Sequence, residues 1–221
     1  MGVCLVVLDP RRDRFLFVRG NVNSTLTADE VHADALKDIS WVHLTSFIRG
    51  SSFRAQKDLL DRLHPSVKVS MDPGEIYATK GLDEIRPLIK RCYLLFLTER
   101  EVGLLTHQDL EAGVETLMKV GPSILVCKKG RQGSRIFAEK GDFEMPPAPA
   151  EGVDNTGAGD VYNAGFLAGL FLERSLEESA HFATVIAAKS VTGYGREQYP
   201  TQEDLEEFFH IRRRKDFMAS F

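Results

Sequence analysis

Three cysteines, Cys4, Cys92 and Cys127, are all that the 221-residue chain contains, and none of them stands in a Cys-x-x-Cys pair. An odd number at such spacing excludes a disulfide framework and a zinc ribbon, and because two of them lie inside apolar runs they read as reduced packing residues. No apolar stretch approaches the ~20 residues of a membrane span, and no secretory pattern opens the chain, so no membrane partner and a cytoplasmic location are expected. Positive charge is in deficit, with 28 Lys and Arg against 32 Asp and Glu, a net charge of -4 and a pI near 5.9. That balance argues against a nucleic-acid partner, and the one basic run, Arg212 to Lys215, reads as a solvated tail. The histidines, His32, His43, His64, His107, His181 and His210, have no ligand spacing. Repeats, low-complexity tracts and linkers are absent too. With 43% hydrophobic residues, residues 1–221 can bury one substantial core and are expected to form a single domain.

What the chain does have is alternation. Val3 to Leu8 and Phe15 to Val18 are short apolar runs split by the polar turn Asp9-Pro10-Arg11-Arg12-Asp13, which predicts a hairpin. Thr27 with Glu30 three residues later predicts a capped helix running to about Lys37. Strands are then predicted at 41–44, 67–71, 93–97 and 124–127, with helices between them at 53–63, at 82–90 with Pro87 disturbing it, after the capping box Thr98-x-x-Glu101, and at 108–120. An antiparallel pair at 134–138 and 143–145 follows, then helices at 157–172, 176–191 and 202–209. This order predicts an α/β fold: a mostly parallel sheet with helices on both faces, reached by right-handed crossovers, with ligands at the carboxyl ends of the strands. The hairpin within residues 1–20 is the one piece outside the alternation.

The densest chemistry lies in Asp154-Asn155-Thr156-Gly157-Ala158-Gly159-Asp160, followed at once by the apolar run Val161, Tyr162, Ala164, Phe166, Leu167, Leu170 and Phe171. Two glycines around Ala158 let the backbone turn tightly and aim consecutive N–H groups at one point as a helix begins, which suits an anion. Asp160 falls in the first helical turn, where the helix dipole favours a carboxylate. A base beside an anion cradle is the equipment for deprotonating a hydroxyl and stabilising phosphoryl charge. A lone Gly-x-Gly before a buried helix is usually only a turn, but seven specified positions carry more information. The stretch lacks the Gly-Lys-Ser/Thr end of a Walker loop. It also comes too late in the chain for a dinucleotide fingerprint with its downstream acid, so an NAD-dependent enzyme of doubly wound type shares only the sheet.

The heptapeptide resembles the C-terminal signature of the ribokinase-like, PfkB-type carbohydrate kinases, Asp-Thr-x-Gly-Ala-Gly-Asp before a helix. That resemblance implies that Asp160 takes the acceptor proton and that the N–H groups of Gly157, Ala158 and Gly159 hold the transferring phosphoryl. Lys128-Lys129-Gly130-Arg131-Gln132-Gly133-Ser134 resembles the family's Leu-Gly-x-x-Gly nucleotide loop, which implies nucleotide contacts at Lys128, Gly130 and Gly133. Thr98-Glu99-Arg100-Glu101 stands where the family has Asn-x-x-Glu. Glu101 matches and would organise magnesium through water, whereas Thr98 keeps a hydroxyl but loses the amide of the usual Asn. The run from Phe182 to Gly195 resembles the helix and turn lining the adenine and a monovalent cation. It implies an adenine-side contact at Thr184, where many members carry Asn, and potassium among Asp154, Thr156, Ser190, Gly193 and Gly195; a plain glycine C-cap explains the same turn. Asp72-Pro73-Gly74 resembles the family's Asp-Pro pair at a strand end, and a turn accounts for it as well.

Family members begin with a strand, a Gly-Gly segment and an Asp that holds sugar hydroxyls, all ahead of the hairpin. No counterpart of these is found here, and Met1-Gly2-Val3 lies where the family has a Thr-Gly before a strand. The expected activity is transfer of the γ-phosphoryl of ATP, with magnesium and potassium, to a hydroxyl of a sugar or nucleoside. In the family the small β lid covers the sugar and often mediates homodimers, and the hairpin is expected to belong to that lid or to the neighbouring edge of the core. The alternative expectation is a non-catalytic nucleotide-binding or interaction protein derived from such a kinase, or an incomplete chain.

Overall fold

The computed structural model describes residues 2–8, 14–21, 25–32, 36–47 and 50–210; the turn Asp9 to Asp13 and the run Arg212 to Lys215 lie outside the described residues. The chain divides into two compact units, Met1–Lys129 with Arg135–Glu144, and Gly130–Ser134 with Met145–Phe221.

The first unit opens with the expected hairpin, β1 (Val3–Leu8) antiparallel to β2 (Arg14–Arg19), forming a separate two-stranded sheet. The helix expected to reach Lys37 opens instead as a 3-10 turn, Ala28–Glu30, and residues 33–35 of the expected span lie outside the described residues. Its capping box forms, but Val31 is already extended, and the Arg62 guanidinium occupies the Ala28 and Val31 carbonyls at 3.3 and 3.0 Å, which a continuing helix would need as acceptors.

Alternation then proceeds as expected: β3 (Trp41–Thr45), α1 (Gly50–Arg62), β4 (Lys68–Asp72), α2 (Gly74–Ala78), α3 (Leu82–Ile89), β5 (Leu94–Thr98), α4 (Glu99–Thr106), α5 (Leu110–Val120), β6 (Ile124–Lys128), β7 (Ser134–Ala138) and β8 (Gly141–Met145). The six-stranded sheet has the order β3-β4-β5-β6-β7-β8, and β3 to β6 pair in parallel. Helix α3 accommodates Pro87, which costs it one backbone bond, and it ends two residues later. The five-residue α2 was not legible in the sequence, where Asp72-Pro73-Gly74 reads as a turn.

Strands β5 and β6 are buried at every residue but the last, as strands covered on both faces must be. Val69, Met71, Leu95, Leu97, Leu125 and Cys127 on one face pack with Ile85, Leu88, Ile89 and Leu117 from α3 and α5 to make this unit's core. Burial then stops abruptly. β4, β5 and β6 end on Asp72, Thr98 and Lys128, so the carboxyl edge of an otherwise apolar sheet is a row of polar groups.

The second unit is helical: α6 (Ala158–Phe171), α7 (Leu176–Ser190) and α8 (Gln202–Phe208). A side chain at Gly165 would overlap Ile186 and approach the Ala183 Cα to 3.0 Å, and one at Gly169 would meet the Ser179 Cα at 2.8 Å. Two glycines four apart on α6 therefore let α7 lie directly against its backbone. Val161, Phe182 and Ile186 form the buried centre, and Phe208 and Phe209 stack on Phe182 with ring centroids 5.0 and 4.9 Å away.

Candidate active site

In the first unit the polar edge is organised around Glu101. Thr98 caps α4: its hydroxyl accepts the Glu101 N–H at 3.3 Å, while Glu101 Oε2 accepts the Thr98 N–H at 2.7 Å. This reciprocal box satisfies two helix-end donors and holds the carboxylate at the strand end, 9% exposed. Its pKa is pushed up from the usual carboxylate range by burial. The Thr98 N–H partly offsets this, nearby Asp72 adds to it, and Lys128 opposes it. Lys128 Nζ lies 2.5 Å from Asp72 Oδ2, with both side chains mostly buried. The lysine expected at the nucleotide phosphates is thus neutralised by an aspartate from the turn after β4. Asp72 also accepts the Gly74 N–H at 3.1 Å through its other oxygen, so the turn reading holds, but it does not exhaust the residue.

In the second unit the signature loop enters α6 through Gly157, whose φ of 80° is left-handed. A Cβ there would collide with the Tyr199 hydroxyl, which reaches the Thr156 carbonyl at 3.5 Å, so the position admits only glycine. The Ala158 N–H is shared with the Asn155 carbonyl at 3.3 Å; those of Gly159 and Asp160 belong to the first turn, where an α-helix supplies no acceptor. Asp160 is the third residue of α6, and it is exposed.

Asp154 ties this loop together. Its Oδ1 accepts the Thr156 N–H at 2.8 Å and its Oδ2 accepts the Gly195 N–H at 3.1 Å, while the Val153 and Asp154 N–H groups share the Val191 carbonyl at 2.6 and 3.2 Å. Asp154, Thr156 and Gly195 of the expected potassium set are therefore gathered, although Gly195 presents a donor to Asp154. The Thr156 hydroxyl oxygen is buried and, among the described residues, has no hydrogen-bond partner, which fits a cation ligand. The Ser190 hydroxyl donates its proton to the Ala187 carbonyl at 2.8 Å, which leaves the oxygen's lone pairs as the part that could face a cation. At Gly193 an added Cβ would lie 2.7 Å from Gln198 Cγ, so packing alone explains a glycine there.

The expected nucleotide loop is a 3-10 turn, Gly130–Gln132, with Gly130 and Gly133 both left-handed and the Gly133 N–H on the Gly130 carbonyl at 3.0 Å. Backbone atoms of Met145, Pro146 and Pro147 fill the space where a Gly133 side chain would go. Thr184 is buried, and its hydroxyl donates to the Ala180 carbonyl at 2.8 Å. Sequence reasoning missed the Asp72–Lys128 pair, the Tyr199 stop on Gly157, and a buried contact between Ser134 and Tyr162. All three join residues far apart in the chain, and no local pattern announces them.

A parallel α/β sheet with a polar carboxyl edge, together with a glycine-entered helix that carries an exposed carboxylate, defines the architecture as ribokinase-like. The chain belongs to the PfkB family of carbohydrate kinases: residues 1–202 match the pfkB family carbohydrate kinase pattern. By that membership it is a carbohydrate or nucleoside kinase. Among curated relatives it is 32% identical over 209 residues to an uncharacterized sugar kinase of Archaeoglobus fulgidus, covering 92% of this chain and 82% of that one. It is 28% identical to a nucleoside kinase of Methanothermobacter thermautotrophicus, where 75% of this chain spans 52% of the relative's length. In structure it is similar, with a TM-score of 0.80 and 24% identity, to an Escherichia coli protein described as ribokinase II in complex with ATP and magnesium, covering 90% of this chain and 68% of that one.

Proposed function

We propose that this chain transfers the γ-phosphoryl of ATP to a hydroxyl of a sugar or nucleoside, with Asp160 as the base. The observation that carries the reading is Asp160 standing exposed in the first turn of α6, directly after the left-handed turn at Gly157. There its charge is favoured by the helix dipole, and the N–H groups of Gly157 and Gly159, with that of Ala158 once it leaves the Asn155 carbonyl, are assigned to the developing phosphoryl charge. Removing the acceptor proton and holding the transferring group are what the chemistry asks of a protein, since the transition state is stabilised mainly by position and charge.

Glu101 is assigned to magnesium. A mostly buried carboxylate near Asp72, reached through water, suits a hard cation that keeps most of its waters, and magnesium would supply charge neutralisation between the phosphates. Thr98, Lys128, Gly130, Gly133 and Thr184 are assigned to the nucleotide. For a monovalent cation, Asp154, Thr156, Ser190, Gly193 and Gly195 are assigned, and the buried Thr156 hydroxyl is the observation that favours it. The β1–β2 hairpin is read as lid: Leu5 and Phe17 pair across it and are 59% and 64% exposed, apolar surface that a bound sugar or a second copy would cover.

The test is transfer of labelled phosphate from ATP, with magnesium, into a mixed extract of sugars and nucleosides, comparing the parent with Asp160→Asn. A labelled sugar or nucleoside formed by the parent alone, with nucleotide affinity nearly equal in the two proteins, is the expected result. Equal loss of turnover and nucleotide binding in Asp160→Asn would make the residue structural and overturn the assignment.

A further inference from the structure

The Ser134 hydroxyl lies 2.8 Å from the Tyr162 hydroxyl in a buried contact between residues 28 positions apart. Ser134 and Tyr162 are 1% and 6% exposed, so the pair is dry. Either hydroxyl can donate to the other. Burial pushes the Tyr162 phenol up to about 12, with the bond to Ser134 pulling the other way, so it stays protonated throughout the neutral range.

The two members come from different places. Ser134 follows Gly133, the end of the proposed nucleotide loop, with no residue between. Tyr162 is two residues beyond Asp160, near the start of α6. A phenylalanine at 162 would bury the same ring, so apolar packing does not call for the hydroxyl.

Resting on the kinase reading above, we infer that Tyr162 is a positioning residue that registers the nucleotide loop against the helix carrying Asp160, so that the presence of nucleotide and the placement of the base are coupled through one buried phenol. Loss of the hydroxyl strands the buried Ser134 hydroxyl without this partner, and the loop end and the helix start then relax independently.

The experiment measures ADP binding with magnesium by calorimetry, and amide exchange in the first turns of α6 with and without ADP, at a temperature where every variant is folded. Tyr162→Phe is expected to weaken ADP about tenfold, the ratio that loss of about one net hydrogen bond corresponds to. ADP should slow exchange around Asp160 in the parent but not in Tyr162→Phe. If the melting temperature of Tyr162→Phe falls while ADP affinity and ADP-dependent protection match the parent, the phenol is internal support only and the inference is wrong. Should Tyr162→Phe fail to fold, Ser134→Ala breaks the same pair at its loop end and is judged by the same two readouts. If the parent itself binds no ADP, it is the kinase reading that fails, a result distinct from equal binding by parent and variants.

Discussion

Lys128 Nζ and Asp72 Oδ2, 2.5 Å apart, join the last residues of β6 and β4 across the end of the strand between them. Each side chain is 14% exposed, so water screens the pair only partly. Lys128→Met leaves a poorly solvated carboxylate beside Glu101 and is expected to destabilise the protein by about 2–4 kcal/mol, somewhat under the range for fully buried pairs. Asp72→Asn in the same chain removes the stranded charge while keeping the acceptor for Gly74, and should restore part of that loss. Urea unfolding of the two singles and the double checks this, and strictly additive effects would show that the pair is not coupled.

Glu101 gives a pH dependence with a definite sign. Its pKa is raised in the folded state by burial first, so the folded protein binds this proton more tightly than the unfolded chain does. The contribution to stability is therefore fully present below the ordinary value of 4.5 and is lost as pH rises through the raised value. Magnesium needs the opposite, ionised form. Glu101→Gln, which retains an acceptor for the Thr98 N–H, should flatten the melting temperature over that window and leave the protein at least as stable at pH 7. It should also weaken the dependence of turnover on magnesium, which a magnesium titration at fixed ATP would reveal.

Gly157→Ala must suffer twice. The left-handed backbone costs an alanine about 1–2 kcal/mol, and its methyl group collides with the Tyr199 hydroxyl. Adding Tyr199→Phe removes the colliding oxygen but not the backbone cost, so the double variant should recover stability in part. Full recovery, or none, measured by thermal unfolding, would contradict this division of causes.

The thiols should separate cleanly. Cys4 is exposed, whereas Cys92 and Cys127 are buried and burial pushes them up to about 12 and about 11. Iodoacetamide at pH 8 should label one thiol per native chain, at Cys4, and all three in denaturant, as counted by mass spectrometry.

The order of strands and helices, the parallel sheet and the signature loop were legible in the sequence because each rests on short-range causes. Apolar runs of strand length, capping pairs such as Thr98 with Glu101, and glycines flanking Ala158 act within a few residues of themselves. The helix expected after Thr27 shows the limit of that logic. Its capping box formed, yet Arg62, thirty-odd positions away, holds the carbonyls that would have extended it. Ser190 and Thr184 stand where resemblance implied a cation ligand and an adenine-side contact, and α7 gives each a backbone carbonyl three or four residues back that takes the hydroxyl proton, a local bond the resemblance did not announce.

By itself, then, the sequence determined the family, the α/β class and the position of the acid that begins α6. Tertiary structure alone decided which charges neutralise one another, as in Lys128 with Asp72, and why position 157 must be glycine. It also decided that a phenol at 162 has the Ser134 hydroxyl to meet. The physical reason is range: capping, turn chemistry and hydrophobic period are local, whereas an ion pair, a steric stop or a buried hydrogen-bonded pair exists only once the packed chain has brought distant residues within a few ångströms.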